Sequence, residues 1–222
     1  MFFRSKEQGT VTKKRLGMLV AVMALATLLA ACGGGVVPET PTTPEPPATP
    51  TTPPDPLAGW IEYTPDDIGF TARLPQQPDV QSQTVPTEAG DLEIVMYVVE
   101  QSASALLVSH NGLPAQLSEL VAAGDTETIT AMLDGGRDGA MGNVSGVVQD
   151  EQEITIDGNS GRDIVFTVDG SASPTGSAID GRARIIVTPD RLWQILVLGA
   201  QGEMDSEQVN AFFDSFKIAA SQ

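Results

Sequence analysis

Residues 144–198 read VSGVVQDEQEITIDGNSGRDIVFTVDGSASPTGSAIDGRARIIVTPDRLWQILVL. Apolar and polar residues alternate there in four runs, Val144–Ile156, Gly161–Val168, Gly181–Thr188 and Leu192–Leu198. Period-two alternation puts one side of each run on a buried face, which is the pattern of half-buried β-strands. Asp157-Gly158-Asn159, Asp169-Gly170 and Pro189-Asp190 separate the runs. Such residues supply the positive φ or fixed φ that tight hairpin turns demand. Four strands joined in this way predict an antiparallel meander.

Working outward, the same alternation occurs on the N-terminal side. Ile68, Phe70, Ala72 and Leu74 share one face of a strand that stops at Pro75, and Leu92, Ile94, Met96 and Val98 share one side of Leu92–Val99. Ala105–Ser109 follows and ends in the turn-like Asn111-Gly112-Leu113-Pro114. These are expected to be consecutive antiparallel strands. The period then changes to a helical one. Asp125 is a natural N-cap for a helix carrying Ile129, Met132 and Leu133, with Ala140 and Met141 beyond, although Gly135-Gly136 weakens its middle. After the meander, Asp205 or Ser206 caps a second helix whose stripe of Val209, Phe212, Phe213 and Phe216 must pack on the sheet. The expected fold class is α+β, a curved antiparallel sheet with helices covering its faces.

This domain should span residues 59–222, enough for a real core. Ahead of it lie two other segments. Arg4, Lys6, Lys13, Lys14 and Arg15 precede Leu16–Ala31, which carries no charge. That is the layout of a signal peptide, and the apolar run is too short for an ordinary spanning helix. It ends in Leu29-Ala30-Ala31-Cys32, which contains the single cysteine and resembles the bacterial lipobox. The resemblance implies a leader at 1–31 that is removed, and a diacylated or triacylated Cys32 as the first mature residue. Each buried CH₂ of an acyl chain gains about 0.8 kcal/mol, so two or three chains hold a domain at a membrane where one would not. The expected location is a cell membrane or outer membrane, facing away from the cytoplasm.

Residues 32–58 follow as a linker. Nine prolines lie between Val36 and Pro56, interleaved with threonines and almost no large apolar side chain. Such a chain cannot bury enough surface to fold and favours polyproline II, which reaches on the order of 60 Å over some twenty residues. Its expected role is reach. O-glycosylation of the Thr/Pro stalk and recognition of a Pro-x-x-Pro string are the alternatives.

The charge is one-sided. Beyond residue 31 there remain seven basic and 28 acidic residues, a net charge of −21, with Lys217 as the only lysine. A surface this acidic repels nucleic acid and anionic lipid headgroups. A search for chemistry finds little. His110 is the only histidine, so a Ser-His-Asp or Cys-His site would have to use it, and beside Asn111 it reads better as a hydrogen-bonded core residue. No Gly-x-Ser-x-Gly, phosphate loop or His-Glu-x-x-His string is present. Arg162, Arg182 and Arg184 lie on neighbouring strands and are the candidate contacts for a carboxylate or phosphate. The plainer expectation is pairing with Asp163, Asp180 or the Asp150-Glu151-Glu153 group. Asp66-Asp67 and that acidic group offer oxygen ligands for calcium but lack EF-hand spacing, so no metal site is assigned. Trp60, Trp193 and the phenylalanine stripe read as core aromatics.

Four strings in order carry a family resemblance. They are Gly-Phe-Thr-x-x-Leu-Pro-x-x-Pro at 69–78, Gly161-Arg162-Asp163, the Arg182/Arg184 strand followed by Leu192-Trp193-Gln194-Ile195-Leu196, and Phe212-Phe213-Asp214-Ser215-Phe216-Lys217-Ile218. Together, over about residues 60–219, they resemble the PsbP/Mog1-like domains of bacterial lipoproteins and secreted proteins. The resemblance implies an α/β/α sandwich around an antiparallel sheet, and a role in assembly or interaction with another protein. It brings no catalytic motif. The expectation is therefore a non-enzymatic envelope lipoprotein with a protein partner and no cofactor. Small-ligand or divalent-ion binding is the alternative class, and a hydrolase a distant third.

Overall fold

Asp157 and Gly158 adopt φ values of 50° and 81°, the left-handed pair that a two-residue hairpin turn requires. They join β6 (Gly146–Ile156) to β7 (Asn159–Val168), and β8 (Ile179–Val187) and β9 (Arg191–Ala200) continue the meander. The computed structural model describes residues 53–219 except 67, 88–89 and 174–175. The expected leader, Cys32 and most of the linker lie outside the described residues.

The N-terminal part contains β1 (Ile61–Tyr63), β2 (Phe70–Leu74), β3 (Asp79–Thr87), β4 (Gly90–Glu100) and β5 (Ser104–Gly112), and then α1 (Ala115–Ala122) and α2 (Thr126–Val144). After β9 the chain forms α3 (Ser206–Ser215) and β10 (Lys217–Ile218). Among the described residues, seven strands form an antiparallel sheet in the order β3-β4-β5-β9-β8-β7-β6, and β1-β2-β10 form a smaller antiparallel one. The fold is thus mixed α/β, with antiparallel sheets and three helices. Among those residues no helix is long and apolar enough to cross a membrane.

The large sheet buries both faces, and β9 shows how. Trp193, Ile195 and Val197 point into a cluster with Phe70, Tyr97, Phe212 and Phe216, whereas Leu192, Leu196 and Leu198 point into one with Leu133, Met141, Ile164 and Phe166. The first cluster joins the sheet to α3 and the small sheet, and the second joins it to α2. Successive side chains on a strand face opposite ways, so one continuous apolar strand serves both.

Local signals place the helices. Asp125 accepts a hydrogen bond from the Thr128 N–H at 2.8 Å, and Asp205 accepts from Glu207 and Gln208. Both are N-caps of the expected kind. α2 runs unbroken through Gly135-Gly136, because a Cβ at Gly136 would lie 2.9 Å from Ile185 Cγ2. The glycine lets the helix approach β8 instead of ending it.

Several expectations need correction. β2 is not followed in the sheet by β4; it leaves to pair with β1 and β10. In β4 the core side is Tyr97 and Val99, both buried, while Leu92, Ile94, Met96 and Val98 are half-buried on the other face. Val144 ends α2 and does not begin a strand. Asn111-Gly112 completes β5, and Pro114 stands at the start of a helix, α1, where a turn was expected. Leu57, ahead of residue 59, is fully buried, and Asp55 pairs with Arg73 at 2.8 Å.

Candidate functional site

The three candidate arginines are not one group. Asp163 pairs with Arg184 across β7 and β8, and Val165 with Arg182. This register aligns Asp163, Arg182 and Arg184 on the face under α3. Arg162, one residue along, must face α2. Arg182 Nε and Nη2 donate to the two oxygens of Asp163, each at 2.7 Å, and Arg184 Nε donates to Oδ2 at 2.7 Å. Arg182 also donates to Asn210, and Arg184 lies 3.5 Å from Asp214, both on α3. The two guanidinium carbons sit 5.1 and 4.9 Å from the centre of the Phe213 ring, in cation–π geometry. One carboxylate and one aromatic ring thus hold two cations beneath the C-terminal helix.

The electrostatics follow from this geometry. Burial alone pushes the Asp163 carboxyl up, but hydrogen bonds from Arg182 and Arg184 outweigh it and hold the pKa below the ordinary value. The Arg182 guanidinium is shifted up, chiefly by its hydrogen bond to Asp163.

On the opposite face Arg162 contacts Glu151 of β6 and lies 2.6 Å from Asp134 of α2. Arg137 joins them, 3.4 Å from Asp134 and 3.3 Å from Glu151. This network ties α2 to the meander. The acidic string 150–153 is divided in the same way. Asp150 accepts from Gln152 at 3.0 Å, while Glu151 turns to the arginines. Asp180 binds no arginine and accepts the Gly202 N–H at 2.7 Å. Asp67 lies outside the described residues. Among those described, no group of three or more His, Cys, Asp or Glu is placed to hold a metal ion.

The Gly161-Arg162-Asp163 string now has a physical meaning. A Cβ at Gly161 would lie 2.7 Å from the Ile185 carbonyl oxygen, so only glycine lets β7 approach β8 there. Arg162 then serves one face and Asp163 the other.

His110 is buried on β5, its ring 5.1 Å from Trp193 and 6.1 Å from Tyr97, with Arg191 Nη1 3.5 Å from Nδ1. Trp193 packs against Phe70 and Phe216. These aromatics form core. Trp60 is half-buried against Phe212 and also lines a cavity of about 160 Å³ with Leu106, Val197, Met204 and Val209, between α3 and the ends of β5 and β9. That is well under the roughly 300 Å³ at which sites for drug-sized ligands begin.

What the sequence search missed is apolar exposure near the free edge of the meander. Val147 of β6 is 59% exposed and Val165 of β7 41%. Val147 opposes Thr167, and Val165 opposes Asp150, so the valines are diagonal neighbours on one face. Alternation places Val165 beside Asp163 and Thr167, opposite the buried Ile164, Phe166 and Val168, but the sequence does not show that Val147 joins it on that side.

No protein-family model and no curated protein matches this chain. Among solved structures, the chain is similar to the solution structure of cyanobacterial PsbP (CyanoP) from Synechocystis sp. PCC 6803. The TM-score is 0.44 and the identity 12%, over 72% of this chain and 92% of that one. It is also similar to PA94 from Pseudomonas aeruginosa, a protein of unknown function described as a putative regulator. There the TM-score is 0.32 and the identity 10%, over 65% of this chain and 85% of that one.

Proposed function

We propose that this chain is an envelope lipoprotein, anchored through Cys32, whose PsbP/Mog1-like α/β/α domain is a non-enzymatic module for binding or assembling another protein. The observation that carries the interaction reading is the contrast at the meander. Arg162, Arg182 and Arg184 are each occupied by carboxylates, whereas Val147 and Val165 stand exposed as diagonal neighbours. Exposed apolar neighbours on a highly acidic surface favour a protein partner over a soluble anion. The anchor rests on Leu29-Ala30-Ala31-Cys32, and the Pro/Thr segment supplies the reach. The small cavity beside Trp60, whose wall also includes Gln101, Ser104 and Gln208, supports a second reading, a small ligand held there.

The test is intact-mass spectrometry of the protein extracted gently from membranes after crosslinking, with everything that co-purifies. An acylated Cys32 and a stoichiometric protein companion, lost on Val165→Asp at unchanged melting temperature, is the expected result. An unmodified Cys32 in the soluble fraction overturns the anchor. An acylated protein with no companion above background overturns the interaction reading.

A further inference from the structure

Among the described residues the large sheet ends in two edges, β6 and β3, and they are built differently. An edge strand presents unpaired backbone groups and is normally protected by charge, bulges or brevity. β6 has two of these protections. It carries Asp150, Glu151 and Glu153, and its register slips between Val148 and Asp150. β3 has neither. It is nine residues long, its register with β4 is unbroken, and Val80 to Thr87 contains no charged residue. The side chains from Asp79 to Thr84 are all exposed, Val80 by 52%.

The outward-facing groups of β3 can be assigned. Two residues separate the paired Thr87 and Gly90, so this pair closes a two-residue hairpin and exchanges hydrogen bonds. Counting back in twos, Val85, Gln83, Gln81 and Asp79 bond to β4. Val80, Ser82, Thr84 and Pro86 turn their backbone groups to the open side. Pro86 agrees, since a proline in an edge strand has its nitrogen on the solvent side. The free donors and acceptors are thus those of residues 80, 82 and 84, and pairing must stop at Pro86, which has no N–H.

We propose that β3 pairs antiparallel with β3 of a second copy about a twofold axis at Ser82, joining the two large sheets into one. The segment is self-complementary in this register. Val80 lies opposite Thr84, Ser82 opposite Ser82 and Gln81 opposite Gln83, so six backbone hydrogen bonds form and no like charges oppose each other. On a chain with 28 acids beyond residue 31, the uncharged stretch from Val80 to Thr87 is a place where two copies can meet without facing carboxylates. A foreign strand could bind the same edge, but nothing in the side chains of 80–84 selects one, whereas the twofold match is complete. Strand pairing alone buries less than the roughly 1,200 Å² of a standard interface, so the dimer is weak and reversible. It is also strengthened by salt, which screens repulsion between the acidic bodies.

The test is sedimentation equilibrium of the full chain in density-matched detergent at low and high NaCl. Thr84→Pro removes an outward donor twice per dimer, and Ser82→Asp puts two carboxylates on the axis. Both leave the bonds to β4 intact, which far-ultraviolet circular dichroism and the melting temperature check. The expected result is a concentration-dependent dimer that tightens with salt and is weakened about tenfold or more by Thr84→Pro, as for two lost hydrogen bonds, and weakened also by Ser82→Asp, through the two opposed carboxylates. Gln152→Asp on β6 should leave it unchanged. A chain that stays monomeric at high salt and high concentration overturns the proposal. So does self-association that ignores both Thr84→Pro and Ser82→Asp, as micelle sharing through the anchor would.

Discussion

Replacing Asp163 by asparagine keeps the shape of the side chain and removes its charge. In the folded domain that charge accepts three hydrogen bonds at 2.7 Å from Arg182 and Arg184, whose side chains are only 23% and 14% exposed. Removing one partner of a buried pair typically costs about 3–5 kcal/mol, because the other charge stays buried without compensation. Here Arg182 keeps Asn210 and Arg184 keeps Asp214, so the cost falls to the bottom of that range or just below it. A loss of about 2–3 kcal/mol lowers the melting temperature of a domain this size by about 4–12 °C. Thermal unfolding of the full chain by circular dichroism at neutral pH measures it. The pH dependence adds a second check. A carboxyl whose folded pKa is depressed stabilises above its unfolded value of about 3.9, and that stability is lost as pH falls through the folded value. The gap between wild type and Asp163→Asn should therefore narrow below about pH 4. The apolar triple replacement Asp163→Leu, Arg182→Leu, Arg184→Met should cost less than Asp163→Asn alone, since no charge is left behind. A shift under about 2 °C for Asp163→Asn at neutral pH, or a gap that widens in acid, would refute this account of the cluster.

Two further substitutions test the frame around it. Gly161→Ala drives a methyl group against the Ile185 carbonyl, and since backbone cannot rotate away, the expected loss is about 2–3 kcal/mol, read as a lower urea midpoint at unchanged slope. Asp205→Ala removes the N-cap of α3 and should cost about 1 kcal/mol, whereas Asp205→Asn, which keeps a side-chain oxygen, should restore most of it in the same titration.

Much of the architecture was readable from the chain because its signals are local. Alternation in Gly161–Val168 and Leu192–Leu198, the Asp157-Gly158 turn, and the caps at Asp125 and Asp205 depend on residues a few positions apart, and the structure contains each. β3 was missed because VQSQTVPT shows no apolar face; with both faces exposed at the sheet edge, none is needed. α1 was missed because, although Leu117, Leu120 and Val121 stand at helical spacing, its eight residues follow directly on Asn111-Gly112-Leu113-Pro114, which reads as a turn.

The candidate site was legible as a list of residues but not as a place. Arg162, Arg182 and Arg184 stand on adjacent strands, yet which of them share a face depends on the pairing of Asp163 with Arg184, residues that meet only through the 168–179 connection. Likewise, that Val147 and Val165 are exposed neighbours follows from the pairing of β6 with β7, in which Val147 opposes Thr167 and Val165 opposes Asp150. Residue type and spacing determined the strands, turns and caps, because backbone preference and alternation act over a few residues. Register and layer packing, which depend on contacts distant in sequence, decided which charges neutralise each other, which valines stay exposed and which edge of the sheet stays open.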